Sequence, residues 1–161
     1  MPCHPRVSER VVSRDDLIAI AGAWRRDGLT IAFANGCFDL LHAGHVRYLQ
    51  AAAAEADRLI VAVNDDAMAS TKGPGRPILK AEDRAALVAA LRGVDAVTIF
   101  SEPTVAPLLT VLCPDVHCKG TDYTADSVPE RETVRAYGGR IAIVGDPKGH
   151  STRDLLARIR G

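Results

Sequence analysis

Short apolar runs alternate along the chain with longer segments in which apolar residues recur every three or four positions. The runs are the length of a strand, whereas the longer spacing is typical of one face of a helix. Strands are predicted over residues 29–34, 59–64, 96–100, 116–119 and 141–144. Helices are predicted over residues 14–26, 43–56, 81–91, 104–112 and 130–137, and a last helix is capped by Ser151 and runs through Ile159. The pattern therefore predicts a regular alternation of strands and helices.

The first predicted helix marks the start of the folded part. Ser13 is suited to cap it, with Asp16 three residues later in a capping-box position, and Gly28 supplies its end. Residues 1–12 are polar and irregular, so they are predicted to form a flexible tail. Residues 13–161 are predicted to form a single domain.

The composition of the strands predicts how they are arranged. Most are apolar on both faces, which is typical of a parallel sheet covered by helices on both sides. Right-handed crossovers favour an α/β fold with one doubly wound, Rossmann-like sheet of five strands in the order 3-2-1-4-5. Ligands bind such sheets beyond the carboxyl ends of the strands, where the strand order reverses. Residues 35–45 and 119–123 are expected there, with residues 145–152 nearby.

Composition narrows the classes of partner. The 161 residues are 47% hydrophobic and 25% charged, and 20 basic residues balance 20 acidic ones. This balance argues against a general nucleic-acid or membrane-surface binder, which usually carries a basic excess. No C-x-x-C pair, long apolar run or signal peptide is present among or before the four cysteines, so reduced thiols in a cytoplasmic protein are expected. The cysteines are Cys3, Cys37, Cys113 and Cys118.

A zinc site built from Cys113, His117 and Cys118 was the one metal site to consider. Residues 117 and 118 are neighbours in a predicted strand, where alternation sends successive side chains to opposite faces. No metal site formed by protein residues alone is therefore predicted.

The segment after the first strand, NGCFDLLHAGH over residues 35–45, carries the strongest functional signal. Gly36 permits a tight turn, and Gly44 would let a phosphate approach the backbone. His42 and His45 are three apart at a helix start, so they share a face beside free backbone N–H groups. Two ordinary polar residues at a helix start are the alternative. The position at the end of the first strand favours an anion site suited to a triphosphate.

The Gly- and Pro-rich segment STKGPGRP, residues 70–77, follows the second strand. It is either a solvated loop or a mobile lid that brings Lys72 and Arg76 onto phosphates when substrates bind. The lid predicts a role in turnover for Lys72.

Three further groups of polar residues are expected near the crevice. Lys119 and Asp122 follow the fourth strand and would hold a sugar or a base, unless they form only a surface turn. Ser151 and Thr152 cap a helix aimed at the same place and would touch phosphate or base beyond their capping role. Cys37 has no paired base, which indicates packing and not nucleophilic chemistry.

Gly36-Cys37-Phe38-Asp39 followed by His42-x-Gly44-His45 resembles the cytidylyltransferase-like nucleotidyltransferase superfamily, and the resemblance spans residues 30–160. Several stretches are similar to the heptose 1-phosphate adenylyltransferases of bacterial surface-sugar synthesis, in their stand-alone form without a sugar-kinase domain. These stretches are residues 33–39 (FANGCFD), 64–66 (NDD), 72–73 (KG), 76–78 (RPI), 119–123 (KGTDY) and 151–152 (ST).

The resemblance implies that residues 13–161 are a nucleotidyltransferase domain. It would transfer AMP from ATP to D-glycero-D-manno-heptose 1-phosphate, releasing pyrophosphate and forming ADP-heptose, with Mg²⁺ on the phosphates. Relatives are often dimers, so it also admits a homodimer. The implied catalytic residues are His42, His45 and Lys72. The implied nucleotide-binding residues are Asn35, Gly36, Cys37, Phe38, Gly44, Arg76, Gly120, Ser151 and Thr152. The implied substrate-binding residues are Asp39, Asn64, Asp66, Lys119 and Asp122.

Two departures from the family pattern mean that the resemblance defines the type of reaction better than the identity of the substrate. Thr121 stands where a second glycine is usual, and Arg153 follows Ser151-Thr152 where a second threonine is usual. Alternatives are a flavin-nucleotide synthetase and a glycerol-3-phosphate cytidylyltransferase, although the latter's usual Arg-Thr-x-Gly-Ile-Ser-Thr ending is absent. An aminoacyl-tRNA synthetase core would need tRNA-binding domains and a basic excess. A non-catalytic nucleotide-binding module would not need the intact histidines and Lys72.

Overall fold

A computed structural model describes residues 6–147, 149 and 151–160. Its centre is one sheet of five parallel strands in the order β3-β2-β1-β4-β5, as predicted. The strands are β1 Ile31–Gly36, β2 Arg58–Asn64, β3 Ala96–Phe100, β4 Val116–Lys119 and β5 Arg140–Ile143. The helices are α1 Val7–Arg10, α2 Arg14–Arg26, α3 Ala43–Ala53, α4 Asp66–Ser70, α5 Ala81–Ala89, α6 Ala106–Leu112, α7 Arg131–Ala136 and α8 Thr152–Arg160.

The two faces of the sheet are covered by different core clusters, and β1 shows why. Ala32 and Ala34 pack with residues of α3 and α5 on one face. Ile31 and Phe33 pack with residues of α2 and α6 on the other. Because successive side chains of a strand point to opposite faces, a strand buried on both sides must be apolar at every position. This is the pattern from which the strands were predicted.

The register of the sheet decides which polar residues meet at its carboxyl edge. Ala34 of β1 lies beside Val61 of β2 and Cys118 of β4. The next positions of β1 and β4 are Asn35 and Lys119, so these two follow the paired core residues directly. The strand order reverses between these two strands, and the edge there is where a ligand crevice is expected.

The ends of some elements differ from the prediction. The first strand begins at Ile31 and runs to Gly36, because Asn35 and Gly36 still pair with Ala62 and Val63 of β2. Helices α3, α5, α6 and α7 are shorter than their apolar patterns. The five-residue helix α4 was not predicted and is capped by Asp65, whose carboxylate accepts the Met68 N–H at 2.8 Å.

The segment predicted as a flexible tail contains ordered structure where it is described. Residues 1–5 lie outside the described residues, but Val7–Arg10 form α1 and Val11 bridges to Val97 of β3. The Val12 N–H also donates to the Val97 carbonyl at 2.9 Å. The expectation of an irregular segment was therefore wrong for residues 7–12, because these residues satisfy backbone groups at the edge of the sheet.

No helix within the described ranges has both the length and the apolar character that crossing a membrane requires.

Candidate functional site at the carboxyl edge of the sheet

The two histidines lie together at the start of α3, directly after β1 and its loop. His42 caps the helix, and its Nδ1 accepts the Gly44 N–H at 3.1 Å. The His42 and His45 rings stack, with centroids 3.8 Å apart and planes 23° apart. The structure thus combines two imidazoles with a helix N-terminus, an arrangement that suits an anion.

The surroundings of His45 determine its charge. Its ring meets the edge of Phe38 with 5.5 Å between centroids. Burial, followed by repulsion from His42, lowers the pKa of His45 to about 4, although Asp39 opposes the shift. Near neutral pH His45 is therefore a neutral imidazole, which donates a hydrogen bond from one nitrogen and accepts at the other.

Asp39 clamps the loop that follows α4. Its carboxylate is 1% exposed and accepts from Arg76 Nε at 2.7 Å. It also accepts the backbone N–H groups of Ile78 at 2.9 Å and Leu79 at 3.1 Å. Asp39 was predicted to bind substrate, but these three donors occupy its carboxylate in the structure. The arrangement makes it a link between the histidine segment and the loop.

The two cations predicted for the lid lie in different environments. Lys72 is exposed in the loop, close after the end of α4. The Arg76 side chain is only 15% exposed and is held by Asp39. Lys72 is therefore the member of this pair that is available to an incoming phosphate, whereas Arg76 anchors the loop.

Arg84 holds several segments of the site together through hydrogen bonds. The sequence analysis did not identify this residue. It is fully buried in α5 and donates to the carbonyls of Cys37 at 2.7 Å and Asn64 at 2.8 Å. It also donates to the Leu79 carbonyl at 2.9 Å and to Asp66 Oδ1 at 2.8 Å. One guanidinium thereby joins the ends of β1 and β2 to the lid loop.

Asp66 and Asn64, which were predicted to bind substrate, contact Arg84 and Cys37 in the structure. Asp66 pairs with Arg84 while its side chain remains 47% exposed. Asn64 lies with its Oδ1 3.6 Å from the Cys37 sulfur. Burial raises the pKa of the Cys37 thiol despite the nearby cations, which supports a packing role for this cysteine.

Lys119 reaches the point where the strand order reverses. Its Nζ donates to Asn35 Oδ1 at 3.0 Å and lies 5.3 Å from the centre of the Tyr123 ring. The structure thus brings together two residues for which the sequence predicted ligand contacts. Gly120 follows beside open space, and Asp122 is exposed in the next turn.

The start of α8 joins the same crevice. Thr152 Oγ1 donates to the Asp39 carbonyl at 2.8 Å, and Ser151 Oγ accepts the Asp154 N–H at 3.1 Å. Ser151 is thus a helix cap, and Thr152 ties the helix to the histidine segment. In the predicted loop of residues 145–152, positions 148 and 150 lie outside the described residues.

A metal site needs several His, Cys, Asp or Glu side chains close together. Within the described ranges there is no group of three or more His, Cys, Asp or Glu residues that could hold a metal ion. His117 contacts Phe33 on one face of the sheet, and Cys118 packs in the core of the other. A metal ion held by the described residues of the crevice would need further ligands, such as the oxygens of a triphosphate.

A parallel sheet with this order, and paired histidines at the helix after its first strand, define a nucleotidyltransferase-like protein. The cytidylyltransferase-like family model matches residues 33–151, and the chain belongs to this family.

Curated relatives are bifunctional proteins named HldE. That of Ectopseudomonas mendocina is 48% identical over 155 residues, covering 95% of this chain and 33% of its own. That of Methylobacillus flagellatus is 43% identical over 153 residues, covering 94% and 31%. The chain therefore spans about a third of the length of these relatives. The fold is also similar to that of a lipopolysaccharide core biosynthesis protein from Thermoplasma volcanium. The TM-score is 0.66 at 28% identity, covering 75% of this chain and all of the other.

Proposed function

We propose that this protein transfers AMP from ATP to D-glycero-D-manno-heptose 1-phosphate, releasing pyrophosphate and forming ADP-heptose. The observation that carries the proposal is the stacked His42–His45 pair at the N-terminus of α3. Family membership supports nucleotidyl transfer as the type of reaction. The HldE relatives and the similarity to a lipopolysaccharide core biosynthesis protein support a sugar phosphate as the acceptor.

The proposed chemistry requires positioning and charge stabilisation. An oxygen of the sugar 1-phosphate attacks the α-phosphorus of ATP in line, the bond to the β-phosphate oxygen breaks, and pyrophosphate leaves. The nucleophile is already an anion, so neither a general base nor a covalent intermediate is required. His42, His45 and the N–H groups at the start of α3 donate to the phosphate oxygens as negative charge develops. Lys72 adds a cation when the loop closes.

The remaining predicted residues are divided between the two substrates. The backbone near Gly36 and Gly44, with Thr152 and Gly120, would face the nucleotide. Lys119 would face the acceptor at the reversal of strand order, and Asn35, to which it donates, would face the nucleotide. Mg²⁺, when bound to the triphosphate, would neutralise part of its charge. A homodimer and a cytoplasmic location remain proposals, and sedimentation of the purified protein tests the former.

Pyrophosphate release measured over a panel of donors and acceptors tests the proposal. ATP with D-glycero-D-manno-heptose 1-phosphate should give the highest kcat/KM. The other pairs are CTP with the same sugar phosphate, CTP with glycerol 3-phosphate, and ATP with FMN. Faster turnover with any of these would replace the substrate assignment and leave the reaction type intact. Tight ATP binding in calorimetry without pyrophosphate release from any pair would favour a nucleotide-binding module.

A further inference from the structure

Two buried ionisable residues lie behind Lys119, and the proposed chemistry uses neither. His117 and Lys119 are two residues apart on β4, so they share one face of the sheet. Glu130 immediately precedes α7, and its Oε2 lies 3.5 Å from both Lys119 Nζ and His117 Nε2. The side chains of Lys119 and Glu130 are each 9% exposed, and that of His117 is not exposed.

Burial and the neighbouring groups together set the charges of Glu130, His117 and Lys119. Burial alone would raise the pKa of Glu130, but His117 and Lys119 outweigh it and hold this pKa at about 2. Burial lowers the pKa of His117, so this residue is neutral near pH 7. Burial also lowers the pKa of Lys119, and Glu130 opposes that shift. The cluster therefore pairs one carboxylate with one ammonium beside a neutral imidazole.

The groups around the Lys119 ammonium show how its pairing with Glu130 can fix its position. An ammonium group has three N–H donors. Asn35 Oδ1 accepts one of them, and Glu130 Oε2, which accepts no hydrogen bond in the described structure, lies 3.5 Å away as an ion-pair partner. The remaining donors are left for a ligand, and the Tyr123 ring borders the group. Without the carboxylate, a nearly buried cation would keep a neutral amide and a ring as its neighbours and would feel the like charge of Lys72, which favours a turn of the side chain toward solvent.

We propose that Glu130 is a positioning residue that holds the Lys119 ammonium against Asn35, where it receives the phosphate of the acceptor. This inference rests on the proposed function for the identity of the ligand. Glu130 contacts no substrate itself and acts through Lys119. His117 Nε2 lies 3.5 Å from the same Glu130 oxygen.

Steady-state kinetics of the full chain test the effect on the acceptor. Glu130→Gln keeps the shape of the side chain and removes its charge. The KM for the sugar phosphate should rise roughly tenfold, as expected when an aligned charged donor is lost, while the KM for ATP stays within about twofold. Glu130→Asp should recover part of the affinity. Lys119→Met should raise the same KM, and adding Glu130→Gln to it should cause little further change, because the two residues act as a unit.

A matched control lies on the same helix. Glu132 of α7 is 72% exposed, and its carboxylate pairs with Arg131 and Arg135. Glu132→Gln should leave both KM values unchanged. If Glu130→Gln lowers the melting temperature but leaves the KM for the acceptor unchanged, Glu130 is structural and the proposal is overturned. An equal rise in both KM values also overturns it, since Lys119 would then not be specific to the acceptor.

Nuclear magnetic resonance of protein labelled with ¹³C-lysine gives a readout that does not depend on activity. The Cε resonance of Lys119, assigned with Lys119→Arg, reports protonation of its ammonium as pH is raised. In Glu130→Gln the resonance should titrate at lower pH than in the wild type, and in Glu132→Gln it should not move. An unchanged titration in Glu130→Gln overturns the proposal. A shifted titration in a protein that releases no pyrophosphate refutes the proposed function and leaves the hold of Glu130 on Lys119 in place.

Discussion

The sequence does not distinguish the roles of His42 and His45, but in the structure their ring nitrogens have different hydrogen-bond partners. His42 accepts the Gly44 N–H at Nδ1, so the proton of a neutral His42 lies on Nε2, which can donate to an anion. His45 Nδ1 is buried without a hydrogen-bond partner in the described structure. Burial keeps this ring neutral. Both residues are therefore suited to stabilise phosphate oxygens by hydrogen bonding.

Replacement of His45 tests this assignment. In His45→Ala, kcat should fall by roughly 10²–10³-fold, the usual cost of removing one donor aimed at developing charge. His45→Asn should recover part of the loss, because Asn retains a donor and the histidine it replaces is neutral. The melting temperature should change little, since the ring lies at a ligand crevice. Steady-state kinetics with a thermal melt measure both quantities.

Gln50→Ala, an exposed position on the same helix, is the control and should match the wild type. A kcat near the wild-type value in His45→Ala would end the catalytic assignment, even if stability fell.

The place of a single residue in the fold was predictable where the signal is local and not where it is distant. The histidine segment is contiguous, so its motif and its place after a strand were visible in the sequence. The partners of Asp39 are 37 to 40 residues away, and its role as a clamp became visible only in the folded chain. Arg84 is an arginine on the buried face of an otherwise apolar helix pattern, and this mismatch was the available signal for it.

At the scale of elements, the strands were predictable because most are apolar on both faces, whereas very short helices were not. Helices α1 and α4 have four and five residues, too few to show a period of 3.6. The loop between α4 and α5 is fixed at Arg76, Ile78 and Leu79 by Asp39. Its earlier part, which carries Lys72, is exposed. Movement of a lid is therefore expected in the part around Lys72 and not at its anchored end.

Lys72→Ala tests the mobile part of the loop. Turnover should slow by about 10–100-fold, because a cation that meets the phosphates on closure is lost. The melting temperature should stay the same, since an exposed side chain contributes little packing. Pyrophosphate release and a thermal melt measure the two effects.

Lys80→Ala changes an exposed lysine at the start of α5 without capping contacts, and it should leave turnover unchanged. If Lys72→Ala melts at a clearly lower temperature yet turns over normally, Lys72 is structural and the lid was misinterpreted.

At the scale of the whole molecule, the formal net charge is zero, but the fold shifts the pKa values of several ionisable groups. His45 and His117 have lowered pKa values because of burial. An unfolded histidine titrates near 6.5, so below that pH the unfolded chain binds more protons than the folded one. Glu130, with a pKa of about 2, adds stability that is present above about pH 4.5 and is lost as pH falls through 2. All three groups therefore destabilise the fold in acid.

The free energy of unfolding should decrease as pH is lowered from 6.5 toward 4.5, measured by urea denaturation at closely spaced pH values. Each histidine that stays neutral in the folded state adds at most about 1.4 kcal/mol per pH unit to this slope. His117→Leu should flatten the slope by up to that amount, because a buried group that must be protonated on unfolding has been removed. Its effect at pH 7 should be small, since both ring nitrogens of His117 lack hydrogen bonds in the described structure and leucine fills a similar volume, although the 3.5 Å contact with Glu130 is lost.

His45→Asn provides an independent comparison of the pH dependence. His45 lies at the crevice, whereas His117 is a fully buried residue of β4. Their effects on the slope should add, since His45 contacts Phe38 and His42 whereas His117 contacts Phe33 and Glu130. Addition of ATP should oppose the loss of stability that depends on His45, because a triphosphate favours the protonated ring, and should leave the part that depends on His117 unchanged. A wild-type slope in His117→Leu between pH 6.5 and 4.5 would show that His117 is protonated in the folded state. In that case His117 and Lys119 would place two cations beside Glu130, and the charge balance inferred for this cluster would be wrong.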